Sequence, residues 1–213
     1  MTTENIEVFT QSSIRIRNGE QTIYLDPFKM TEEPHDADLI LITHDHFDHF
    51  SPEDIRKIAK ETTVLVVPLK MADKAKSEAG FVSRIETVVP ATAYEIEGLA
   101  FETVPAYNNL KPFHPRLAGW VGYILAIKGK RIYVAGDTDF TKDNEKVRCD
   151  VALVPIGGTY TMDAAKAAQL INTIRPAVTI PTHYGSVVGK IEDADVFASK
   201  VSRDVEVVTK IVF

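Results

Sequence analysis

The sequence predicts a layered α/β fold in which two sheets pack together and helices cover the outside. Segments with strand patterns dominate the 213 residues, segments with helix patterns lie between some of them, and both kinds carry an apolar face that must be buried. Apolar residues make up 45% of the chain and charged residues 25%, a balance typical of globular proteins. Because no fixed-period repeat, low-complexity segment or linker divides the chain, we expect one domain spanning residues 1–213.

The first third of the chain is predicted to consist of short strands. Residues 6–10, 12–17 and Gln21–Leu25 alternate between apolar and polar or are rich in β-branched side chains, and Asn18-Gly19 is typical of a hairpin turn. Residues 37–42 (Ala-Asp-Leu-Ile-Leu-Ile) form an apolar run that predicts a buried strand. This strand leads directly into a cluster of histidines.

A helix is predicted just after the cluster. Ser51 is a suitable N-cap, Pro52 suits the first helical position, and Asp54 can complete a variant of the capping box. A buried strand at 64–67 and a second helix at 69–78, which a glycine ends, are predicted to follow.

The second half of the chain returns to strands. Residues 85–101 have strand patterns with a turn at Glu97-Gly98, and a polar loop follows at 105–115. The remaining predicted elements are a hairpin of 119–127 and 131–135, a strand at 151–155, a helix at 163–174 with Asp163 near its cap, a strand at 177–180, a helix at 193–201 and strand material at 205–212.

Three histidines and two aspartates lie within six residues, directly after the predicted buried strand. His44 and His46 are two positions apart, so in an extended chain they face the same side and can hold one ion together. The chain then turns toward the predicted helix, so Asp48 and His49 point in a different direction and can bind a second ion. The alternative is a polar loop whose histidines only form hydrogen bonds or face solvent. Packing gives no reason for such a cluster at the end of an apolar strand, where functional groups are common.

The composition restricts which ligands a metal can have. Cys149 is the only cysteine, which excludes an internal disulfide framework and a cysteine-based zinc module. Imidazole and carboxylate ligands remain, and these suit Zn²⁺ first, with Mn²⁺ or Fe²⁺ as alternatives.

Charge and hydropathy exclude other classes of function. The net charge of −6 gives no basic surface for general nucleic-acid binding. The first residues have no signal-peptide pattern, and no apolar stretch approaches the roughly 18–20 residues of a membrane span. We therefore expect a cytoplasmic protein without a membrane segment.

The histidine cluster resembles the signature of the metallo-β-lactamase superfamily, His-x-His-x-Asp-His after a strand. Asp26 in the segment 24–27, Asp137 in the segment 135–139 and His183 in the segment 181–184 match the family's other motifs in order and spacing. The resemblance covers nearly the whole chain. It implies a four-layer αββα sandwich of the metallo-β-lactamase type and a two-metal site.

A narrower resemblance is to the small metal-dependent hydrolases related to L-ascorbate-6-phosphate lactonase. It rests on the segments 25–28 (Leu-Asp-Pro-Phe), 136–139 (Gly-Asp-Thr-Asp) and 155–162 (Pro-Ile-Gly-Gly-Thr-Tyr-Thr-Met). This resemblance does not fix a substrate.

The superfamily resemblance assigns roles to individual residues. The metal ligands that it implies are His44 and His46 on the first ion, Asp48, His49 and His183 on the second, and Asp137 as a bridge between both.

The chain departs from the family at one ligand of the first ion. The family's third histidine usually follows a Pro-Ala pair by two positions, and here that position holds Asn108. His114, six residues further along the same loop, is the candidate replacement, because an amide oxygen is a weaker ligand than imidazole. The alternatives are that His114 is a loop histidine stacked against Trp120 or Phe113, or that the first site is weak and a single metal binds.

Further polar residues are expected to support the site. Asp26 and Asp139 can accept hydrogen bonds from metal-bound imidazoles, which fixes the ring tautomer. Gln11 is expected to have a positioning role at most. Lys111 and Arg116 flank the candidate replacement histidine and can bind an anionic group, although solvated surface charge is the simpler interpretation of each.

Together these residues predict a metal-dependent hydrolase for a small, anionic ester, lactone or phosphoester. Two divalent ions roughly 3.5–4 Å apart would lower the pKa of a shared water toward about 7, and the metal-bound hydroxide would attack the substrate. Asp48 and His114 are the expected catalytic residues: Asp48 orients the nucleophile and relays a proton, and His114 reaches the metal or its bound substrate.

A phosphodiesterase or nuclease of the same fold and a non-catalytic metal- or ligand-binding module are the alternatives. Whether the chain forms a homo-oligomer is left open.

Overall fold

Two β-sheets face each other in the computed structural model, which describes residues 3–212. Within this range the first sheet contains, in spatial order, β1 (Ile6–Val8), β2 (Ile14–Asn18), β3 (Gln21–Leu25), β4 (Ala37–Leu41), β5 (Ala59–Pro68) and β6 (Arg84–Val88). The second contains β13 (Glu206–Val207), β12 (Val178–Thr182), β11 (Val151–Pro155), β10 (Lys130–Val134), β9 (Val121–Ile127), β8 (Leu99–Pro105) and β7 (Ala93–Ile96).

Helices cover the outer faces of both sheets. Buried side chains of α1 (Pro52–Ile58) and α2 (Ala72–Ala79) form one apolar cluster with the outer face of the first sheet. α3 (Ala164–Ile174) and α4 (Asp193–Lys200) pack beside the second sheet, in the cluster that also fills the space between the sheets. The predicted four-layer αββα sandwich is therefore confirmed.

The strand that carries the histidine cluster is buried on both faces. Leu39 and Leu41 of β4 contribute to the core between the sheets, whereas Ile40 and Ile42 pack under α1 and α2. Alternate residues of a strand point to opposite faces, and β4 lies between two parallel neighbours, β3 and β5. A continuous apolar run is what such a position requires.

The predicted start of α1 is confirmed and ties the helix to the site. Ser51 Oγ accepts a hydrogen bond from Asp54 N at 3.3 Å and donates one to Asp54 Oδ2 at 2.8 Å. The Asp54 carboxylate also accepts from the backbone N–H groups of Lys29 and Met30, each at 2.9 Å. These bonds fix the segment that follows Asp26.

The strand predicted at 64–67 and the helix predicted at 69–78 begin at other residues in the structure. β5 begins at Ala59, directly where α1 ends, rather than at residue 64. Thr63 Oγ1 donates to Ala37 O at 2.6 Å, which holds the added residues beside β4. The first turn predicted for α2, Leu69–Met71, is a 3₁₀ turn.

Two other predicted elements are displaced or shortened. The hairpin turn between β2 and β3 is Gly19-Glu20, because Asn18 still pairs with Gln21 in the ladder. The closing strand predicted at 205–212 pairs only over Glu206–Val207, opposite the first two residues of β12.

Met1, Thr2 and Phe213 lie outside the described residues. The single domain expected for residues 1–213 therefore stays a prediction. The N-terminal segment in which we find no signal-peptide pattern also begins outside the described range. Between residues 3 and 212, no helix is long and apolar enough to cross a membrane.

The topology gathers several loops at one edge of the sandwich. β3, β4 and β5 run parallel, as do β10, β11 and β12, so the carboxyl ends of each set meet. The residues that follow these ends are Asp26 after β3, His44 to His49 after β4, Asp137 after β10 and His183 after β12.

Candidate metal centre

The seven residues predicted as metal ligands lie together in the structure. Two groups of three each have ligand atoms that all lie within 4.8 Å of one another, and one aspartate lies between the groups. The first group is His44, His46 and His114, the second is Asp48, His49 and His183, and the aspartate is Asp137.

The first group has the spacing of a tetrahedral metal site. His44 Nε2 lies 3.2 Å from His46 Nδ1 and 3.4 Å from His114 Nε2. Zinc–nitrogen bonds of about 2.0–2.1 Å in a tetrahedral site place the ligand nitrogens roughly 3.3–3.4 Å apart. The three imidazoles can therefore hold one divalent ion with little movement.

The second group joins the far side of the cluster. Asp48 Oδ2 lies 3.7 Å from His49 Nε2 and 3.4 Å from His183 Nε2. The two rings stack with their centroids 5.3 Å apart. A carboxylate and two imidazoles form a second donor set of the kind that divalent transition metals accept.

Asp137 connects the two groups. Its Oδ2 lies 3.4 Å from His114 Nε2 and 3.2 Å from His183 Nε2, while its Oδ1 lies 3.3 Å from His49 Nε2. A single carboxylate thus contacts imidazoles of both groups. The predicted role of a bridge would require such a position between the two groups.

The structure brings His114, and not Asn108, to the first group. Asn108 Nδ2 donates to Tyr160 O at 2.7 Å and lies 3.3 Å from His114 Nδ1, on the side of the ring away from His44. Asn108 N also donates to His114 O at 2.8 Å. Asn108, which stands at the position of the family's third histidine, therefore supports His114, the candidate replacement. His114 also packs edge-on against Trp120, with ring centroids 5.2 Å apart. The ring contact predicted as the alternative to metal binding is therefore present together with the approach of His114 to His44.

Asp26 and Thr43 orient two of the imidazoles. Asp26 Oδ2 lies 2.7 Å from His49 Nδ1, and the same carboxylate accepts from Thr43 N at 2.8 Å and Thr43 Oγ1 at 2.6 Å. Thr43 Oγ1 in turn lies 2.9 Å from His44 Nδ1. Partners of this kind on the far ring nitrogen fix which nitrogen faces the metal. Sequence reasoning did not single out Thr43, although its place between β4 and His44 was a usable signal.

Asp139 does not have the role expected of it. Its carboxylate accepts from Asn109 N at 3.0 Å and Lys111 Nζ at 2.9 Å instead of contacting an imidazole of the site. It therefore braces the loop that carries His114. Arg116 pairs with Asp143 at 3.1 Å, so both cations that flank His114 are engaged with carboxylates.

Gln11 is closer to the site than the sequence indicated. It is fully buried, and its Nε2 donates to Asp48 Oδ2 at 3.1 Å and lies 3.1 Å from His183 Nε2. Its backbone carbonyl accepts from His183 N at 2.8 Å. Gln11 therefore contacts Asp48 through its side-chain amide and His183 through its backbone carbonyl, from the side of β1 and β2.

Four residues of the site adopt left-handed backbone conformations. Gln11, Asp26, His114 and His183 have φ values of 65°, 45°, 58° and 57°. Such conformations cost about 1 kcal/mol or more for non-glycine residues and persist only where the surroundings impose them. Gly157 shows how tightly these surroundings pack, because a Cβ on it would lie 2.2 Å from His183 O. The side chains are aimed by a rigid frame.

Burial favours the neutral form of His44 and His46 in the first group. Desolvation lowers the pKa of His44 well below its usual value, and desolvation together with the neighbouring His114 lowers the pKa of His46. Neutral imidazole is the form that binds metals.

Without metal, the neighbouring carboxylates favour the protonated form of both imidazoles in the second group. Burial alone would lower the pKa of His183, but Asp137 and Asp48 raise it to about 9. Burial also opposes charge on His49, yet Asp137 and Asp26 hold its pKa well above the usual value. Asp48 has its pKa lowered to about 2, because its contacts with His183 and His49 outweigh burial. The cluster thus favours positive charge at the place where a divalent ion would lie.

The residues fit a pair of divalent metals. His49 Nε2 and Asp137 Oδ1 are buried and lie 3.3 Å apart, but they do not align as a hydrogen bond, so neither atom has a hydrogen-bond partner, whereas buried polar atoms normally have one. Both atoms face the space between the two groups. A metal would satisfy them and would replace the protons on the imidazoles.

A cavity of about 250 Å³ opens above this centre. His46, Asp48 and Asp137 form its floor. Its walls are Phe47, Phe113, Tyr160 and Val187. A reactant in this cavity would lie against the two groups.

Known proteins match both the sequence and the fold. A family model described as a beta-lactamase superfamily domain matches residues 5–183. A UPF0173 metal-dependent hydrolase of Thermoplasma acidophilum is 36% identical over 180 residues, which cover 79% of this chain and 78% of the relative.

Solved structures share the architecture. Igni18, a novel metallo hydrolase from the archaeon Ignicoccus hospitalis, is similar with a TM-score of 0.76 at 23% identity, over 96% of this chain and 93% of that chain. The metallo-beta-lactamase fold protein YhfI from Bacillus subtilis gives a TM-score of 0.74 at 10% identity, over 94% and 88%. At these identities the structures show the fold alone. The family model and the sequence relative show that this chain belongs to the beta-lactamase superfamily and, within it, to the UPF0173 metal-dependent hydrolases.

Proposed function

We propose that this protein hydrolyses a small ester, lactone or phosphoester with the help of two divalent metal ions. The observation that carries the proposal is the position of Asp137, whose carboxylate contacts imidazoles of two separate three-residue donor sets. A structural metal site is closed by its own ligands, whereas this pair of sets lies on the floor of an open cavity. Zinc suits the donors first, and Mn²⁺ or Fe²⁺ are alternatives.

The residues proposed as metal ligands fall into the two groups described above, with Asp137 between them. His44, His46 and His114 would hold one ion, Asp48, His49 and His183 the other, and Asp137 would bridge them. When bound, the ions would supply Lewis acidity that lowers the pKa of a water and stabilises negative charge on the substrate.

Asp48 is proposed as the residue that handles the proton. It lies on the cavity floor, and its carboxylate can accept a hydrogen bond from the attacking water. As the water oxygen bonds to the carbonyl carbon or the phosphorus, Asp48 takes the proton and passes it to the leaving oxygen when the ester bond breaks. Gln11 donates to Asp48 Oδ2 and limits its rotation. His114 is buried and does not line the cavity, so it is proposed to act through the ion that it would hold with His44 and His46.

The alternatives gain little support. A phosphodiesterase or nuclease would profit from cations near the centre, but Lys111 and Arg116 are paired with Asp139 and Asp143. A non-catalytic binding module would fit a first site left incomplete by Asn108, but His114 lies beside His44 and His46. The lactone suggested by the narrower resemblance and the cytoplasmic location stay predictions, and the oligomeric state stays open.

The function is tested by turnover with verified metal content. Protein loaded with Zn²⁺ or Mn²⁺ is expected to hydrolyse at least one substrate in a panel of simple esters, lactones and phosphodiesters, and chelation is expected to abolish the activity. Asp48→Asn, which keeps size and removes the charge, is expected to lower kcat by about 10²–10⁴-fold. Asp73→Asn on the exposed face of α2 serves as the control. Inertness of the loaded wild-type protein across the panel would overturn the hydrolase proposal.

A further inference from the structure

The walls of the cavity above the metal centre are apolar and open to solvent. Phe47, Phe113 and Val187 are 66%, 43% and 39% exposed. Single exposed apolar side chains are common, but a group of them around one opening indicates a binding surface. Here three of them surround the same opening, with Tyr160 completing the wall.

Aromatic contacts hold these walls in place. Phe113 packs edge-on against Tyr160, with ring centroids 4.8 Å apart, on the side of the loop that carries His114. Phe47 packs edge-on against Phe28 at 5.8 Å. The two exposed phenyl rings are therefore braced and can receive a flat or flexible apolar group between them.

No lysine or arginine lines the cavity in the described part of the chain. Lys111 and Arg116 are engaged with Asp139 and Asp143. Lys29 lies near the outer edge, with its Nζ 5.4 Å from the centroid of the Phe28 ring and 3.5 Å from Ser186 Oγ. The cavity walls therefore offer no cationic partner to an anionic substituent of the substrate. An apolar substituent, in contrast, would be removed from water by contact with these walls.

We propose that the substrate carries an apolar acyl or aryl group that binds between Phe47 and Phe113, with the bond to be cleaved over the cavity floor. This inference rests on the hydrolase function proposed above and names its substrate class. The cavity volume of about 250 Å³ lies just below the roughly 300–1,000 Å³ of pockets for drug-sized ligands. The substrate is accordingly small, and it is not selected for negative charge, in contrast to the expectation from sequence.

A series of activated esters tests the substrate class. With one p-nitrophenyl leaving group, kcat/KM is expected to rise from acetate to hexanoate by about fourfold per methylene until the cavity is filled. The carboxylate-bearing succinate ester is expected to fall at least about tenfold below the pentanoate. A succinate ester that equals or exceeds the pentanoate overturns the inference.

Variants locate the binding site. Phe113→Ser is expected to raise KM for the hexanoate ester about tenfold and to leave the acetate ester little changed. Val187→Ser on another part of the wall is expected to act in the same direction. Leu110→Ser is the matched control, because Leu110 lies on the same loop, is 97% exposed and does not line the cavity. Equal KM values for Phe113→Ser and Leu110→Ser overturn the inference.

A binding measurement separates this inference from the hydrolase proposal. Trp120 is the only tryptophan of the chain and its ring centroid lies 5.0 Å from that of His46, so its fluorescence reports on the centre. Hexanamide is expected to bind at least about tenfold more tightly than succinamate, and Phe113→Ser is expected to remove the difference. If no ester is hydrolysed but hexanamide is preferred, the hydrolase proposal fails and the apolar site stands. If succinamate binds more tightly and Lys29→Met weakens it, the apolar site fails.

Discussion

Replacing Asp137 with asparagine is expected to lower hydrolysis more than about a thousandfold, which corresponds to about 4 kcal/mol of lost transition-state stabilisation. The carboxylate contacts His114, His183 and His49 through its two oxygens, so the change weakens both donor sets at once. The amide keeps the size of the side chain but removes the negative charge. Metal content is expected to fall together with activity, and elemental analysis and initial rates measure the two effects.

Asp45→Asn is the matched control for this change. Asp45 lies inside the same histidine cluster, and within residues 3–212 its carboxylate forms no hydrogen bond or ion pair. It is expected to retain both metals and near-normal turnover. An Asp137→Asn protein that keeps two metals and more than a tenth of the wild-type rate would contradict the bridging role.

Replacing Asp26 with alanine is expected to produce the largest loss of stability. Asp26 is buried and accepts hydrogen bonds from Thr43 N and Thr43 Oγ1, and it lies 2.7 Å from His49 Nδ1. Removal leaves buried donors and a charged imidazole without their partner, which costs about 3–5 kcal/mol. The unfolding midpoint is expected to fall by roughly 10 °C, and calorimetry on the chelated protein measures it.

Asp26→Asn separates the charge from the hydrogen bonds. Asparagine tolerates the left-handed backbone conformation found at this position, with φ of 45°, and keeps one acceptor oxygen. It is expected to be less destabilising than alanine but still to weaken metal binding by about 10–100-fold, because His49 loses its orienting partner. Unchanged metal affinity in Asp26→Asn would show that this carboxylate acts on folding alone.

The parts of the fold that depend on local chemistry were predictable from the sequence. The apolar run of β4 and the Ser51 cap of α1 are decided by neighbouring residues, and both lie where the pattern placed them. β5 was predicted too short because its first residues are held by Thr63 and Ala37, a contact between segments that no local pattern records.

The same distinction applies to the candidate site. His44 and His46 share a side because of their spacing alone. His114 reaches them across 70 positions only because the loop of residues 105–119 folds back, and Asn108 helps to hold it there. The expectation for Asp139 failed for the corresponding reason. Its carboxylate is taken by Asn109 and Lys111, whose positions depend on the same loop.

Gln11 shows the limit of motif reasoning. Its position after β1 gives no sign that its amide lies 3.1 Å from Asp48 Oδ2 and 3.1 Å from His183 Nε2. That contact depends on a left-handed turn at Gln11 and on the late loop that carries His183. Both are products of the tertiary structure.

Metal content per chain tests the central claim most directly, measured by elemental analysis on the wild-type protein, His114→Ala and the control His35→Ala. His114 lies with His44 and His46, whereas His35 lies in another loop, where its Nδ1 is 2.9 Å from Ala59 O. The structure predicts two metals per chain in the wild type and in His35→Ala, and about one in His114→Ala because the first donor set loses its third imidazole. Two metals in all three proteins, or one in all three, would contradict the two-metal centre with His114 as a ligand.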